Sequence, residues 1–211
     1  DIWVQKPNPG GHSDEMCMPL GVILRDVLEL AHNLREAKRM LATRQVLVDG
    51  RIDTDLGRGV GLMDVLTVGE DSFRCILDVN GKLRYRSISD KAAASKLCRV
   101  MGKSTITDGK TQIHLHDGRN ILVSDAKLYD SGDTLVISLP DQSVAGHHPF
   151  SKGATAYLTG GSLIGITAKV VSRDIKRSSK PNEVQFPDFG TVADYVFIIG
   201  ADKDLPLEVK A

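Results

Sequence analysis

The amino-acid sequence predicts an α+β fold that is mostly β. Two segments near the N-terminus carry apolar residues three and four positions apart, as amphipathic helices do. From Val46 onward the apolar period changes to two, and turn signals containing glycine recur about every ten residues. Short strands punctuated in this way are typical of small barrels. The 211 residues could form one domain or a row of two or three small ones.

The first helix is expected over Pro19–Ala31, with Pro19 in the first turn, where proline is tolerated. The second is expected to begin at Asn33, because Glu36 follows three positions later in a capping-box-like spacing. Its apolar residues form one stripe that a protein core would bury: Leu34, Ala37 and Leu41.

The strands begin with a predicted hairpin, because Asp49-Gly50 separates the alternating Val46–Val48 from Arg51–Asp53. One further helix is expected over Ser89–Cys98, which is rich in alanine and lysine. The remaining strands before residue 140 are predicted at Asp64–Val68, Phe73–Asp78, Leu83–Ile88, Gln112–Leu115, Asn120–Val123 and Thr134–Leu139.

A domain boundary is expected near Pro140–Ser151, where proline and glycine cluster. Beyond it, Gly153–Val171 and Glu183–Ile199 predict strands on either side of a basic loop, Arg173–Lys180. This organisation indicates a second small barrel.

Composition excludes several classes of protein. The 27 basic and 27 acidic residues give a net charge of zero, so any functional positive charge must be local. No apolar run approaches the roughly 18 to 20 residues that span a bilayer, so no membrane partner is expected. The three cysteines form no C-x-x-C pair and suit a reducing cytosol.

The second predicted helix carries a cluster of cations. Arg35, Lys38 and Arg39 fall at i, i+3 and i+4, on the face opposite the apolar stripe, and Arg44 follows at its end. Such a face can dock against a phosphate backbone, where arginine forks pair with phosphate oxygens. The alternative is a solvated surface face, and composition alone does not decide between them.

The order of these elements resembles the S4-type RNA-binding domain. The resemblance rests on two short helices, then Val46-Leu47-Val48-Asp49-Gly50-Arg51, a glycine turn, and Met63-Asp64-Val65, where Asp64 matches the usual Gly-Asp and Met63 does not. In that family the second helix and the hairpin contact RNA. The resemblance therefore implicates Arg35, Lys38, Arg39, Arg44 and Arg51.

Further segments are similar to the ribosomal protein S4e family, in the same order from about Trp3 to Gly200. They include Pro19-Leu20, Leu115-His116-Asp117-Gly118-Arg119-Asn120, Gly132-Asp133-Thr134-Leu135 and Asp194-Tyr195-Val196-Phe197. This resemblance implies a non-enzymatic rRNA-binding protein of the cytoplasmic ribosome's small subunit, with small-subunit rRNA and neighbouring ribosomal proteins as partners. It also implies a basic N-terminal tail ahead of Trp3, whose absence would explain the zero net charge.

The resemblance further implies an S4-type (αL) RNA-binding domain, a central small β-barrel domain and a C-terminal SH3-like KOW barrel. The expected divisions are an extended arm over 1–18, the S4-type domain over 19–69, the central domain over 70–150, the KOW barrel over 151–200 and a tail over 201–211.

The KOW glycine loop departs from the family pattern, because Ala168 replaces the last glycine and Ser162-Leu163 stand where cations are common. The rRNA contacts of this barrel are therefore predicted in the basic loop, Arg173–Lys180, rather than in the glycine loop. The complete predicted rRNA-binding set is Arg35, Lys38, Arg39, Arg44, Arg51, Arg58, Arg119, Lys176, Arg177 and Lys180.

Two alternatives remain: an RNA-modifying enzyme with an S4-type module, and a KOW-type translation or transcription factor. The sequence offers an enzyme only a weak cluster at His114-Leu115-His116-Asp117. Alternation places His114 and His116 on one strand face, where they could bind a metal, but Ile113 and Leu115 on the other face favour an ordinary half-buried strand. We therefore expect no catalytic residue, metal, cofactor or small-molecule substrate.

Overall fold

The computed structural model describes residues 5–106, 109–176 and 180–200. Trp3, Arg177 and the predicted tail over 201–211 lie outside these residues. The helices are α1 (Leu20–Val22), which continues as a π-helical segment (Ile23–Val27), α2 (Leu34–Ala42) and α3 (Asp90–Ala93). The strands are β1 (Cys17–Pro19), β2 (Val46–Val48), β3 (Arg51–Ile52), β4 (Gly59–Gly61), β5 (Val65–Val68), β6 (Asp71–Leu77), β7 (Leu83–Ile88), β8 (Ser95–Thr105), β9 (Thr111–Leu115), β10 (Asn120–Val123), β11 (Thr134–Ser138), β12 (Val144–His148), β13 (Thr155–Leu158), β14 (Thr167–Lys169), β15 (Ser172–Asp174), β16 (Glu183–Gln185), β17 (Gly190–Val192) and β18 (Val196–Gly200).

The chain folds into two compact units. The first comprises the residues up to Ile76, together with Leu83–Lys96 and Ser138–Ser143. The second comprises Leu77–Lys82, Leu97–Ile137 and the residues from Val144 onward. Each unit therefore contains segments that are distant in the sequence.

The first unit packs α1 and α2 against a five-stranded sheet in the order β3-β2-β5-β6-β7. Its core is formed by the apolar stripes of the two helices and the inner residues of the strands, including Leu20, Leu24, Ala37, Leu41, Val46 and Leu66. The 3.6-residue and two-residue periods of the sequence thus meet in one core.

The first helix ends earlier than predicted. The sequence pattern continues to Ala31, but the helical segment ends at Val27 and Glu29 adopts a left-handed φ of 54°. The amides of Leu30 and Ala31 both donate to the Leu24 carbonyl, at 2.9 and 3.1 Å. A left-handed residue that allows such bonds is a common way to end a helix.

The predicted Asp49-Gly50 hairpin is confirmed. Both residues have positive φ, 51° and 75°, and Val48 pairs with Arg51 across the turn. Two consecutive positive φ values are the mark of a type I′ turn, whose twist matches that of the strands. Farther along the same sheet, Val68 pairs with Asp71, so the expected boundary between residues 69 and 70 falls inside one antiparallel pair.

The prediction of a helix over Ser89–Cys98 is wrong beyond its first half. Helix α3 ends at Ala93, and β8 begins at Ser95. Lys96, Leu97 and Cys98 are buried, and the Lys96 ammonium pairs with carboxylates of the first unit. Tertiary contacts therefore override the helical propensity of this alanine-rich segment.

The second unit contains one five-stranded sheet, ordered β10-β9-β8-β11-β12, and two three-stranded sheets, ordered β14-β13-β18 and β15-β16-β17. The core of the first sheet includes Val100, Ile113 and Leu135. The core of the two smaller sheets includes Ala156, Val184, Phe186 and Ile198. Tyr157, which is fully buried, accepts a hydrogen bond from the Leu77 amide at 2.9 Å and donates to its carbonyl.

Most predicted strands are present with shifts of one or two residues at their ends. Several strands were missed. The paired strands β1 and β4 were expected as the junction of the arm with the first helix and as a glycine turn, and β8 was expected as a helix in its first residues and was not predicted beyond them. Another, β12, lies within the predicted boundary near Pro140–Ser151 and pairs with β11. Its sequence, Val-Ala-Gly-His-His, lacks the β-branched alternation that marks the others.

None of the helices in the described part of the chain has the length and apolar character that a membrane span requires.

Candidate nucleic-acid interface

The second helix is fixed at its N-terminus by side chains that the sequence had indicated. Asn33 Oδ1 accepts from the Glu36 amide at 3.0 Å, so the predicted cap is confirmed. The Glu36 carboxylate accepts from the His32 amide at 2.8 Å, one residue earlier than in a full capping box. Both bonds satisfy amides near the start of α2 and define where the helix begins.

The two faces of α2 differ sharply in chemistry. Ala37 and Leu41 are fully buried. Arg35, Lys38 and Arg39 are exposed. The three cations are thus presented to solvent by a helix whose opposite face is held in the core.

The other predicted cations of the first unit lie in the turns that follow. Arg44 is exposed directly after α2 and has a left-handed φ of 60°. Arg51 is exposed on β3, and the Gln142 amide oxygen accepts from its Nη2 at 2.7 Å when the amide is turned toward it. Arg58 is exposed before β4, with its Nε 3.5 Å from an Asp53 carboxylate oxygen. Six predicted contact residues therefore belong to one unit.

A buried ion-pair network supports the hairpin that carries Arg51. The Lys96 side chain is 1% exposed, and its ammonium lies 2.9 Å from Asp49 Oδ2 and in contact with Asp64 Oδ1. Asp49 also accepts from the Val65 amide at 2.9 Å, and Asp64 from the Gly61 amide at 2.8 Å. The aspartate of the Asp-Gly turn and the aspartate of the S4-type motif thus share one lysine.

His12 brings the N-terminal arm to the same network, with its Nε2 3.0 Å from both Asp64 carboxylate oxygens. Burial alone would raise the pKa of the Asp64 carboxyl. The Lys96 ammonium and the hydrogen bond from His12 outweigh this effect and hold the pKa well below its ordinary value.

Met63 explains why glycine is usual at its position in the S4-type pattern. Its φ is 68°, in the left-handed region that glycine occupies without steric cost. Methionine there carries backbone strain of about 1–3 kcal/mol. Its side chain is fully buried, which contributes a comparable stabilisation of about 1.5–3 kcal/mol. The departure from the motif therefore keeps the turn and adds to the core.

The predicted contacts of the second unit have different surroundings. Arg119 is half-buried, with its Nε 3.2 Å from Asp117 Oδ2. Lys176 forms an ion pair with Glu183, and its amide donates to Asn182 Oδ1 at 2.9 Å. Lys180 is exposed, and Arg177 lies outside the described residues. Intramolecular carboxylates thus already pair with two of these cations.

The glycine turn of the predicted KOW segment faces other parts of the second unit. A Cβ atom at Gly160 would overlap the Tyr195 ring, and one at Gly165 would lie 2.5 Å from the Asp78 carbonyl oxygen. Gly161 and Gly165 also have positive φ, 80° and 79°. These glycines are therefore required by packing and backbone conformation.

The alternation predicted around His114 is confirmed, since Ile113 and Leu115 are buried and His114 is partly exposed. His114 Nδ1 donates to Asn120 Oδ1 at 2.7 Å, which leaves Nε2 to accept from the Ser104 hydroxyl. The imidazole thus bridges three neighbouring strands.

A group of possible metal ligands lies beside it: Cys98, His116 and Asp117, whose ligand atoms are within 4.8 Å of one another. His116 Nδ1 accepts from the Arg99 amide at 3.2 Å, and the Cys98 thiol is 3.5 Å from Asp117 Oδ2. The Arg119 guanidinium already offsets the charge of Asp117. This arrangement favours hydrogen bonding over the binding of a further cation.

Two arginines that were not predicted as RNA contacts stabilise the second unit. Arg99 donates to the Asp194 and Ala193 carbonyls at 2.6 and 3.1 Å, and burial lowers the pKa of its guanidinium. Arg173, which was placed in the basic loop, lies in β15 and stacks 4.5 Å above the Phe150 ring. Nothing in their local sequence distinguishes these arginines from surface cations.

Comparison with known proteins agrees with this architecture. The chain is 39% identical over 210 residues to the small ribosomal subunit protein eS4 of Methanothermobacter thermautotrophicus, covering 96% of this chain and 86% of the relative. The chain belongs to the ribosomal S4e family. The sequence model for ribosomal family S4e matches residues 69–144.

A second S4e protein and a solved S4e structure are also similar to this chain. The eS4 protein of Methanocaldococcus jannaschii is 36% identical over 214 residues, covering 95% of this chain and 86% of the relative. The crystal structure of the 30S ribosomal protein S4e from Thermoplasma acidophilum is similar with a TM-score of 0.80 and 32% identity, covering 89% of this chain and 97% of that one. The mostly β fold with few helices is therefore that of an S4e protein.

Proposed function

We propose that this chain is a structural component of the small ribosomal subunit that binds rRNA through the exposed cations of α2 and the turns that follow it. The observation that carries the proposal is the placement of Arg35, Lys38 and Arg39 on the solvent face of a helix whose other face is buried. The relatives described as small ribosomal subunit proteins supply the biological setting, a cytoplasmic ribosome. In this setting the chain acts by binding and positioning, without catalysis.

The proposed interface is extended by Arg44, Arg51 and Arg58 in the first unit. All three are exposed, and with α2 they supply six cations from a short stretch of chain. Arg119, Lys176, Arg177 and Lys180 are secondary contacts in this proposal, since carboxylates pair with Arg119 and Lys176. Phosphate contacts of this kind position a protein on folded RNA.

The proposal includes the finer domain arrangement. An S4-type module would occupy 19–69, a central β domain 70–150 and a KOW-type SH3-like barrel 151–200. The hairpin at Asp49-Gly50, the position of Asp64 and the left-handed conformation of Met63 support the S4-type module. The positive-φ glycines Gly161 and Gly165 are consistent with a KOW turn.

The test is a salt titration of rRNA binding with Arg35, Lys38 and Arg39 all changed to glutamate. Each lost phosphate contact should reduce the slope of log affinity against log salt by roughly 0.7–0.9. Affinity at low salt should fall by at least tenfold, while folding survives because all three side chains are exposed.

The matched control changes Lys91, Lys152 and Lys169 to glutamate. These lysines are also exposed, and the triple change alters the net charge by the same amount. A general loss of attraction would affect both triple variants equally. Wild-type affinity and slope in the α2 variant would show that its cations are only solvated surface.

A further inference from the structure

A small cavity opens beside the proposed RNA-binding helix, between the second half of α2 and the β2–β5 pair. Its volume is about 250 Å³. The proposed function does not use it. Seven residues of the first unit line it: Glu36, Arg39, Met40, Thr43, Gln45, Val46 and Val68.

The cavity has an apolar floor and a polar rim. Met40, Val46 and Val68 form the floor, and Val46 and Val68 are direct cross-strand neighbours. At the rim, Arg39 and Gln45 are exposed, and their side chains have no hydrogen-bond partner within the part of the chain that the structure describes.

The remaining rim groups are engaged. Glu36 accepts from the His32 amide at 2.8 Å, and the Thr43 hydroxyl donates to the Met40 carbonyl at 2.6 Å. Arg39 and Gln45 are therefore the groups left to recognise an occupant.

We propose that this cavity receives a single unstacked nucleobase of the rRNA. This inference rests on the proposed function and names a ligand group for the same surface. A nucleobase needs apolar contact on its faces and hydrogen bonds at its edge. The floor offers the first, and the Gln45 amide, which both donates and accepts, offers the second.

Size and charge favour a base over other occupants. The volume lies below the roughly 300–1,000 Å³ of ordinary ligand pockets, which suits one ring system. The Arg39 guanidinium at the rim can pair with the phosphate of the inserted nucleotide, while Arg35 and Lys38 on the same helix pair with its neighbours. A polyanion with one extruded base matches both the cations and the apolar floor, whereas a free phosphate would leave the floor unused.

Filling the cavity tests the inference. In Val68→Phe the added ring occupies the floor but leaves every cation of α2 in place. Val171→Phe is the matched control, because Val171 is an exposed valine of the second unit. Gln45→Leu is a second variant that removes the edge-reading amide from an exposed position and therefore does not depend on core packing.

Each variant of the 211-residue chain is bound to small-subunit rRNA and probed with two kinds of reagent. Hydroxyl radicals report backbone contacts, and dimethyl sulfate and carbodiimide report base edges. Wild type and Val171→Phe should protect an unpaired base within the backbone footprint. Val68→Phe should lose that protection and bind several-fold more weakly, because the base loses its apolar contact with the floor. Gln45→Leu should expose the base edge while retaining the backbone footprint.

The inference is overturned if wild type shows a backbone footprint without base protection, or if Val68→Phe protects the same bases as wild type. The inference is also overturned if Val68→Phe keeps the rRNA footprint of wild type but impairs the incorporation of neighbouring proteins into the small subunit. That result would assign the cavity to a protein side chain. If wild type shows neither backbone protection nor base protection, the proposed function itself is contradicted.

Discussion

Lys96 has the most demanding environment of the described lysines, because its ammonium is buried between the carboxylates of Asp49 and Asp64. Burying a charge is tolerated only when it is paired and hydrogen-bonded. Here the lysine offsets two carboxylates whose remaining oxygens accept from the amides of Val65 and Gly61. The network therefore fixes two turns of the proposed RNA-binding module at a single point.

Replacing Lys96 with methionine should be severely destabilising. The two aspartates would remain buried without their cation, and breaking a buried pair in this way costs about 3–5 kcal/mol. The measurement is the free energy of unfolding in urea. Lys91→Met is the control, because Lys91 is exposed and should change stability by less than about 0.5 kcal/mol. Similar values for the two variants would mean that the network contributes little.

The position of Lys96 also marks a limit of sequence reasoning at the scale of single residues. Asp49, Gly50 and the cations of α2 could be located from local spacing. The burial of Lys96 depends on ion pairs with Asp49 and Asp64, which lie more than thirty positions away, and its alanine-rich neighbourhood indicated a helix. Lys176 stays a predicted RNA contact, but its ion pair with Glu183 could not be predicted, because it forms only once β15 and β16 are paired.

At the scale of elements, α2 depends on its N-terminal cap. Asn33 satisfies the Glu36 amide, which would otherwise lack a partner within the helix. We expect Asn33→Ala to lower the free energy of unfolding by about 1 kcal/mol. Ser13→Ala is a matched control, because Ser13 also precedes a short helical turn, Asp14–Met16, but makes no side-chain capping bond.

Equilibrium urea unfolding of both variants provides the measurement. An Asn33→Ala protein as stable as wild type would indicate that tertiary packing alone defines the start of α2. A loss of the same size in Ser13→Ala would show that the effect does not come from capping.

Elements were predictable where the chain itself carries the signal. The start of α2 and the hairpin at Asp49-Gly50 depend on residues within a few positions, and both were located correctly. The end of the first helix was not, because Glu29 takes a left-handed conformation that its residue type does not announce. The cavity beside α2 could not be predicted either, since its walls come from a helix and two strands that meet only in the fold.

At the scale of the whole molecule, balanced charge changes what binding to RNA can depend on. Equal numbers of basic and acidic residues give little long-range attraction for a polyanion. The proposed interface must therefore depend on cations held in place locally, such as those of α2. Because the fold of the first unit holds these cations in place, the proposed binding depends on that fold rather than on overall charge.

The folded state of that unit should in turn depend on pH through Asp64. The pKa of an aspartate in an unfolded chain is about 3.9, and in the folded chain it is lower. The stabilisation is therefore fully present above about pH 5 and is lost as the pH falls, because the unfolded state takes up a proton that the folded carboxylate does not. Once the pH is below the unfolded pKa, stability should fall by about 1.4 kcal/mol per pH unit from this group.

Because Asp64 belongs to the first unit, acid should unfold that unit at a higher pH than the second. Amide NMR signals recorded between pH 6 and pH 2 can follow the two units separately. The Val65 amide, which donates to Asp49, reports the first unit, and the Leu158 amide, which donates to the Ile166 carbonyl, reports the second. We expect the Val65 signal to leave its folded position first. Simultaneous loss of both signals, or earlier loss of Leu158, would show that the buried network does not set the acid limit of the fold.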